Sequence, residues 1–143
     1  MKKTLYVIMA STLALASCSS SVTNSEPVAK QADIKHICVK DLNKPAIANI
    51  GQYLANSLQK KGFTAEVSVN PSANCKYVLA YSLREENNLI LRAKVRLSEV
   101  NNGSRTALGE VSYKQRGNEK EFVKVSGVQG QTDRIINELF KNY

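Results

Sequence analysis

Hydrophobic and polar positions alternate along most of the chain after residue 33. A period of two places successive side chains on opposite faces of a strand, so each alternating run predicts a β-strand with one dry and one wet face. The runs cover residues 33–40, 63–69, 76–85, 89–98 and 105–115. In the fourth run one face carries Leu89, Leu91, Ala93, Val95 and Leu97, and the other carries Ile90, Arg92, Lys94, Arg96 and Ser98.

Helical spacing of apolar residues appears twice. Ile47, Ile50, Leu54 and Leu58 follow Pro45 and predict a helix that Asn43 or Lys44 caps and that ends before Gly62. A second stripe predicts a C-terminal helix, for which Ser126 and Thr132 are alternative caps. This stripe consists of Ile135, Ile136, Leu139 and Phe140.

The resulting order of elements is β-α-β-β-β-β-α. Such an order predicts a single α+β domain over residues 33–143. We expect a mostly antiparallel sheet with both helices on its apolar face.

The first 17 residues carry the pattern of a secretory signal peptide. Lys2 and Lys3 precede an apolar run that ends at Leu15, and small residues follow. This run is too short for a membrane span, which needs roughly 20 apolar residues. Leu15-Ala16-Ser17-Cys18 is similar to a bacterial lipobox, in which the cysteine receives lipid and becomes the first residue.

A lipidated Cys18 predicts where the protein resides. By resemblance to lipoprotein sorting rules, Ser19 after the cysteine favours the outer membrane, with the domain facing the periplasm. The polar stretch over residues 18–32 lacks apolar periodicity, so we interpret it as a flexible tether between lipid and domain.

The net charge narrows the choice of partners. Of 20 Lys and Arg residues, Lys2 and Lys3 leave with the signal peptide, so 18 remain against 12 acidic residues, a formal charge of +6. Export argues against nucleic acid and leaves anionic lipid head groups, lipopolysaccharide, peptidoglycan or an acidic protein face. Alternatively, the excess of basic residues only keeps a small domain soluble.

Assigning Cys18 to lipid leaves Cys38 and Cys75 as a pair. An oxidising compartment favours a disulfide between them. A metal or catalytic role would need partners at ligand spacing, and the chain has one histidine, His36, and no CxxC motif.

The sequence predicts no enzymatic activity, no metal and no cofactor, because paired carboxylates, a nucleophile with a base and a phosphate-binding glycine loop are all missing. The sharpest candidate for a binding site is the wet face of the fourth strand. Its Arg92, Lys94 and Arg96 project to one side about 7 Å apart. Arg84 on the third strand is expected beside them. The alternative is a solvated face whose charges oppose aggregation.

The chain resembles a family of small Gram-negative lipoproteins of unassigned function, the Sbal-type family. The resemblance rests on short motifs spread over most of the mature chain. They are Cys18, Ile34-Lys35-His36 with Cys38, Gly62, Thr64, Glu66, Val67, Cys75-Lys76-Tyr77, Leu79 and Tyr81. It implies a periplasm-facing α/β domain held to the outer membrane, and it implies no activity.

Two hypotheses for function follow. In the first, a membrane-anchored lipoprotein acts as a non-enzymatic accessory module that docks on an envelope protein through a sheet edge or its basic face. In the second, the basic face binds an anionic envelope ligand.

Overall fold

The computed structural model describes residues 21–71 and 75–143. The predicted signal peptide, residues 1–17, and Cys18 lie outside these ranges. The strands are β1 (Val22–Glu26), β2 (His36–Lys40), β3 (Thr64–Ser68), β4 (Tyr77–Glu86), β5 (Leu89–Asn101) and β6 (Ser104–Lys114). The helices are α1 (Ile50–Lys60) and α2 (Lys120–Leu139), and a 3-10 turn (Gly117–Glu119) precedes α2.

All six strands belong to one mixed sheet in the order β1-β6-β5-β4-β2-β3. The β1–β6, β6–β5 and β5–β4 pairs are antiparallel, whereas β2 runs parallel to both β3 and β4. The parallel part follows from the β2-α1-β3 crossover, since a helical connection returns the chain to the same edge of the sheet. The predicted α+β class and mostly antiparallel sheet are therefore confirmed, but the sheet also contains β1, which lies before residue 33.

The core lies between the sheet and the two helices. The inward residues of the strands alternate with outward ones, as the period-two pattern predicts. The fully buried members include Ile37, Val39, Leu79, Leu97 and Val111 from the strands and Leu58, Ile136 and Phe140 from the helices.

The interpretation of residues 18–32 as a flexible tether is wrong for most of that stretch. Strand β1 pairs with β6 from Val22 to Glu26 with one register shift at Thr23, and the Lys114 amide donates to the Ser21 carbonyl at 2.8 Å. Val28 is fully buried and its amide donates to the carbonyl of Leu139 at 2.8 Å. Backbone pairing to an exposed sheet edge, together with this one buried valine, outweighs the polar composition of the segment.

A glycine in β6 permits this close approach. A Cβ atom at Gly109 would lie 2.7 Å from both the Glu26 carbonyl oxygen and the Val28 side chain. Any other residue at this position would push the end of β1 away from the sheet.

A β-bulge changes the predicted faces of β5. Arg84 pairs with Arg92 and Glu85 pairs with Ile90, so Leu91 is the extra residue. Because a bulge reverses the alternation, Ile90 turns inward and is 1% exposed, whereas the pattern alone placed it on the wet face. A second bulge, between Leu97 and Ser98, leaves Ala107 exposed, although the pattern placed it inside.

Both helices begin at positions that differ from the prediction. Asn49 adopts a left-handed conformation (φ 59°), so α1 begins at Ile50 instead of near Pro45, and it ends before Gly62 as predicted. Helix α2 begins upstream of both predicted caps, and it is interrupted at Gly127, whose φ of 63° and ψ of −161° are not helical.

A buried glutamine joins α2 to the start of β5. Gln131 is fully buried; its side chain accepts from the Ile90 amide at 2.8 Å and donates to the Ile90 carbonyl at 2.8 Å. It also donates to the Tyr113 hydroxyl at 2.9 Å. Ile90 lies beyond Arg92–Lys114, the last pair between β5 and β6. The glutamine therefore takes the place that a residue of β6 would otherwise occupy.

We expect Gln131→Leu to lower the free energy of unfolding by about 2 to 4 kcal/mol, because it leaves the buried amide and carbonyl of Ile90 unpaired. Urea denaturation measures this loss. Gln59→Leu on the exposed face of α1 is the control. Equal losses in the two variants would contradict a structural role for the Gln131 hydrogen bonds.

Candidate anion-binding face

Three cations form a row across the face of the sheet that the helices leave open. Arg84 on β4 lies directly opposite Arg92 on β5, and Arg92 lies directly opposite Lys114 on β6. Neighbouring strands are about 4.8 Å apart, so the three side chains start close together on one face. No carboxylate of the described residues lies within ion-pair distance of any of the three. We call Arg84, Arg92 and Lys114 the cationic row.

The row lines a shallow depression of about 500 Å³. Three hydroxyl side chains complete its polar lining, those of Thr23 on β1, Ser82 on β4 and Ser112 on β6. Lys94 lies in the same depression, and none of its described lining residues is acidic. The depression therefore offers charged and neutral hydrogen-bond donors, and no carboxylate is among its described lining residues.

The other predicted cation of β5 has a partner. Arg96 lies opposite Glu110 of β6, and its Nε and Nη2 are 2.7 and 2.6 Å from the carboxylate Oε2. Lys94 Nζ is 3.7 Å from Oε1 of the same glutamate. Glu110 thus neutralises Arg96 and partly neutralises Lys94, so the unpaired charge is concentrated at the cationic row.

The row carries an electrostatic cost. Like charges directly opposite each other on neighbouring strands are destabilising, and Arg92 has such a neighbour on both sides. A bound phosphate or carboxylate would remove this repulsion, and the arginine guanidinium matches both anions with two parallel hydrogen bonds.

The structure brings together three of the four cations that the sequence predicts. Arg84, Arg92 and Lys94 line the depression, whereas Arg96 lies outside it beside Glu110. The sequence reasoning missed Lys114 and Glu110. Both share the outward parity of β6, but only the strand register shows which cation each one faces.

Cys38 and Cys75 form a disulfide on the same open face, with Val78 and Val100 packed beside it. The predicted pairing is therefore present. His36 and Glu66 are near Cys38; the His36 Nε2 lies 3.8 Å from the Glu66 Oε1. Because Cys38 is disulfide-bonded, only the half-exposed imidazole and carboxylate of this cluster are available as metal ligands.

An ion cluster fixes the start of β4 beside the disulfide. Lys76 Nζ lies 2.7 Å from Asp33 Oδ2, and the Tyr77 hydroxyl donates to the same oxygen. These hydrogen bonds, from Lys76 first and Tyr77 second, lower the pKa of Asp33 to about 2. Burial and the bond to Asp33 raise the pKa of Tyr77.

None of the helices in the described ranges is long and apolar enough to cross a membrane.

Comparisons with known proteins find similarity in structure alone. No protein-family model and no curated protein sequence matches the chain. A PelC point variant from Paraburkholderia phytofirmans, solved as a dodecamer, has a TM-score of 0.50 at 15% identity, and the match covers 81% of this chain and 92% of that chain. A minor lipoprotein from Acinetobacter baumannii has a TM-score of 0.39 at 16% identity, covering 76% of this chain and 92% of that one.

At these identities the first likeness shows the fold and nothing further. The resemblance to the Sbal-type family stays a prediction.

Reduction of the Cys38–Cys75 disulfide should lower the free energy of unfolding by about 4 kcal/mol, because it frees a loop of 37 residues in the unfolded chain. Urea denaturation with and without a phosphine reductant measures the difference. The double variant Cys38→Ser/Cys75→Ser is the control, and it should not respond to the reductant. A wild-type chain that loses no stability on reduction would contradict the prediction.

The Asp33 cluster predicts a specific loss of stability in acid. The folded pKa of Asp33 lies below its unfolded value near 4, so its contribution is present above pH 4 and is lost as the pH falls toward 2. Melting temperatures of the wild type and Asp33→Asn should therefore differ near neutral pH and converge at about pH 2. A difference that is independent of pH would exclude the ionised Asp33 as its source.

Proposed function

We propose that this protein is a non-enzymatic envelope lipoprotein, lipidated at Cys18 on the outer membrane, whose open sheet face binds an anionic partner. The observation that carries the proposal is the cationic row of Arg84, Arg92 and Lys114 in a depression without acidic lining. The three side chains come together only because β4, β5 and β6 pair in one particular register.

The chemistry of the depression favours phosphate or carboxylate groups. Two guanidinium groups and two ammonium groups supply charge-assisted hydrogen bonds, from Arg84, Arg92, Lys94 and Lys114. Tyr113 is the one aromatic residue among the described lining residues, and it is 2% exposed with its hydroxyl bonded to the buried Gln131. It therefore offers no open ring face on which a base or a sugar ring could stack.

The signal peptide pattern and Cys18 supply the cellular context. An exported chain with a formal charge of +6 after processing meets anionic lipids, lipopolysaccharide phosphates and acidic polymers of the envelope. Docking on the acidic face of another envelope protein uses the same chemistry. Nucleic acid is not expected in that compartment.

The test is binding of the purified protein to soluble polyphosphate and polygalacturonate at several salt concentrations. Arg84→Gln/Arg92→Gln/Lys114→Gln should weaken binding about 10- to 100-fold at low salt, because it removes the unpaired charges. Comparing the two polymers shows whether phosphate or carboxylate is preferred.

The matched control removes three exposed cations without a charged partner among the described residues. Lys30→Gln/Lys35→Gln/Arg105→Gln has the same net charge as the first variant. Glu110→Gln should strengthen binding, since it releases Arg96 and Lys94. Equal weakening by the two triple variants would show that only net charge matters and would overturn the proposed site.

A further inference from the structure

The structure sets a short distance between the lipid attachment site and the folded domain. The backbone is bonded to β6 from Ser21 onward, so only Ser19 and Ser20 separate Cys18 from the first fixed residue. Three residue steps span at most about 11 Å. If Cys18 carries lipid in the bilayer, the start of β1 must lie at the membrane surface.

The start of β1 defines one end of the sheet, which we call the lower end. Strands β4 and β6 finish there, β5 begins there at Leu89, and α2 starts just after β6. The cationic row belongs to this end, since Lys114 is bonded to Ser21 and pairs with Arg92. The upper end carries the hairpin between β5 and β6, roughly 40 Å away along the 13 residues of β5.

Exposed apolar side chains point to the same end. Val125 is 88% exposed and Phe122 is 39% exposed, both in the first turns of α2. The other two exposed large hydrophobic residues of the described ranges, Leu42 and Val69, follow β2 and β3. The register puts the ends of those strands beside the middle of β4, so Leu42 and Val69 do not belong to the lower end. Solvent-exposed side chains of this kind are expected where a protein meets an apolar partner or a lipid surface.

Charged residues surround these apolar side chains. Arg116, Lys120 and Lys124 are exposed between Lys114 and Val125, and Arg84 and Arg92 lie across the sheet. Four carboxylates share this end, and they are Glu85, Glu86, Glu119 and Glu121. Glu119 is 2.6 Å from Arg134. Glu121 is 3.5 Å from Lys124, so it neutralises one of the cations. Cations remain in excess, the composition that favours anionic lipid head groups.

We infer that the lower end docks on the membrane that holds Cys18, and that the anion bound by the cationic row is the phosphate of its lipids. This inference rests on the proposed function for the lipid anchor and for anion binding. The docked domain places Phe122 and Val125 in the head-group region and holds the hairpin at the upper end away from the membrane. A tether of three residue steps restricts the orientation of the domain, whereas a flexible tether extending to residue 32 would not.

The test uses the absence of tryptophan from the chain. A single reporter is introduced at the lower end by Val125→Trp, and at the upper end by Thr106→Trp as the matched control. Both positions are exposed, so both variants should fold. The full acylated chain is reconstituted in vesicles of phosphatidylethanolamine and phosphatidylglycerol in which part of the lipid carries bromine near the head group.

We expect brominated lipid to quench about half of the emission of Val125→Trp, because an interfacial side chain lies within the head-group layer. Thr106→Trp should show no quenching. Adding the row substitutions Arg84→Gln/Arg92→Gln/Lys114→Gln should reduce the quenching of Val125→Trp, and vesicles of phosphatidylcholine alone should reduce it as well.

The outcomes separate the two proposals. A protein that stays with the vesicles and binds polyphosphate, but whose Val125→Trp emission is not quenched, overturns the docked orientation and leaves the proposed function in place. A partner protein or a second copy on the lower end would give that result. A protein that does not stay with the vesicles overturns the lipid anchor and the docked orientation together.

Discussion

The pairing of β1 with β6 is the constraint on which the rest of the arrangement depends. It fixes the chain from Ser21, covers one edge of the sheet and brings Val28 into the core. The same pairing sets how far the predicted lipid site can lie from the domain. Gly109 makes it sterically feasible, because no side chain occupies the space that Glu26 and Val28 need.

A second constraint operates at the start of β5, where a bulge and a buried glutamine act together. The bulge at Leu91 turns Ile90 into the core and leaves Arg92 outward. Gln131 then satisfies both backbone groups of Ile90, which lies beyond the last pair between β5 and β6. The position of Arg92 beside Arg84 and Lys114 is thus a consequence of local backbone geometry, held in place by α2.

The sequence predicts those features that depend on local periodicity. Alternation identifies the core faces of β2 and β4. Assigning Cys18 to lipid leaves Cys38 and Cys75 as a pair, and this identifies the disulfide. It does not predict β1, because Val22–Glu26 is a polar edge strand whose stability comes from backbone pairing with a distant segment. The sequence pattern also does not predict that Lys114 belongs to the cationic row, because strand register and bulges decide which residues face each other.

The cationic row has to be weighed against the general use of surface charge to oppose aggregation. Protective charges are most effective on edge strands, where unpaired backbone groups invite another chain. The row instead has its centre at Arg92 on β5, which pairs with β4 on one side and β6 on the other, while β1 covers β6. Arg84 lies beyond Val78 and Leu79, where β2 pairs with β4, so an edge-protecting role is open to Arg84 but not to Arg92 or Lys114. The mutual repulsion of the three charges opposes folding. Binding of an anion accounts for their position, because an anion converts the repulsion into favourable contacts.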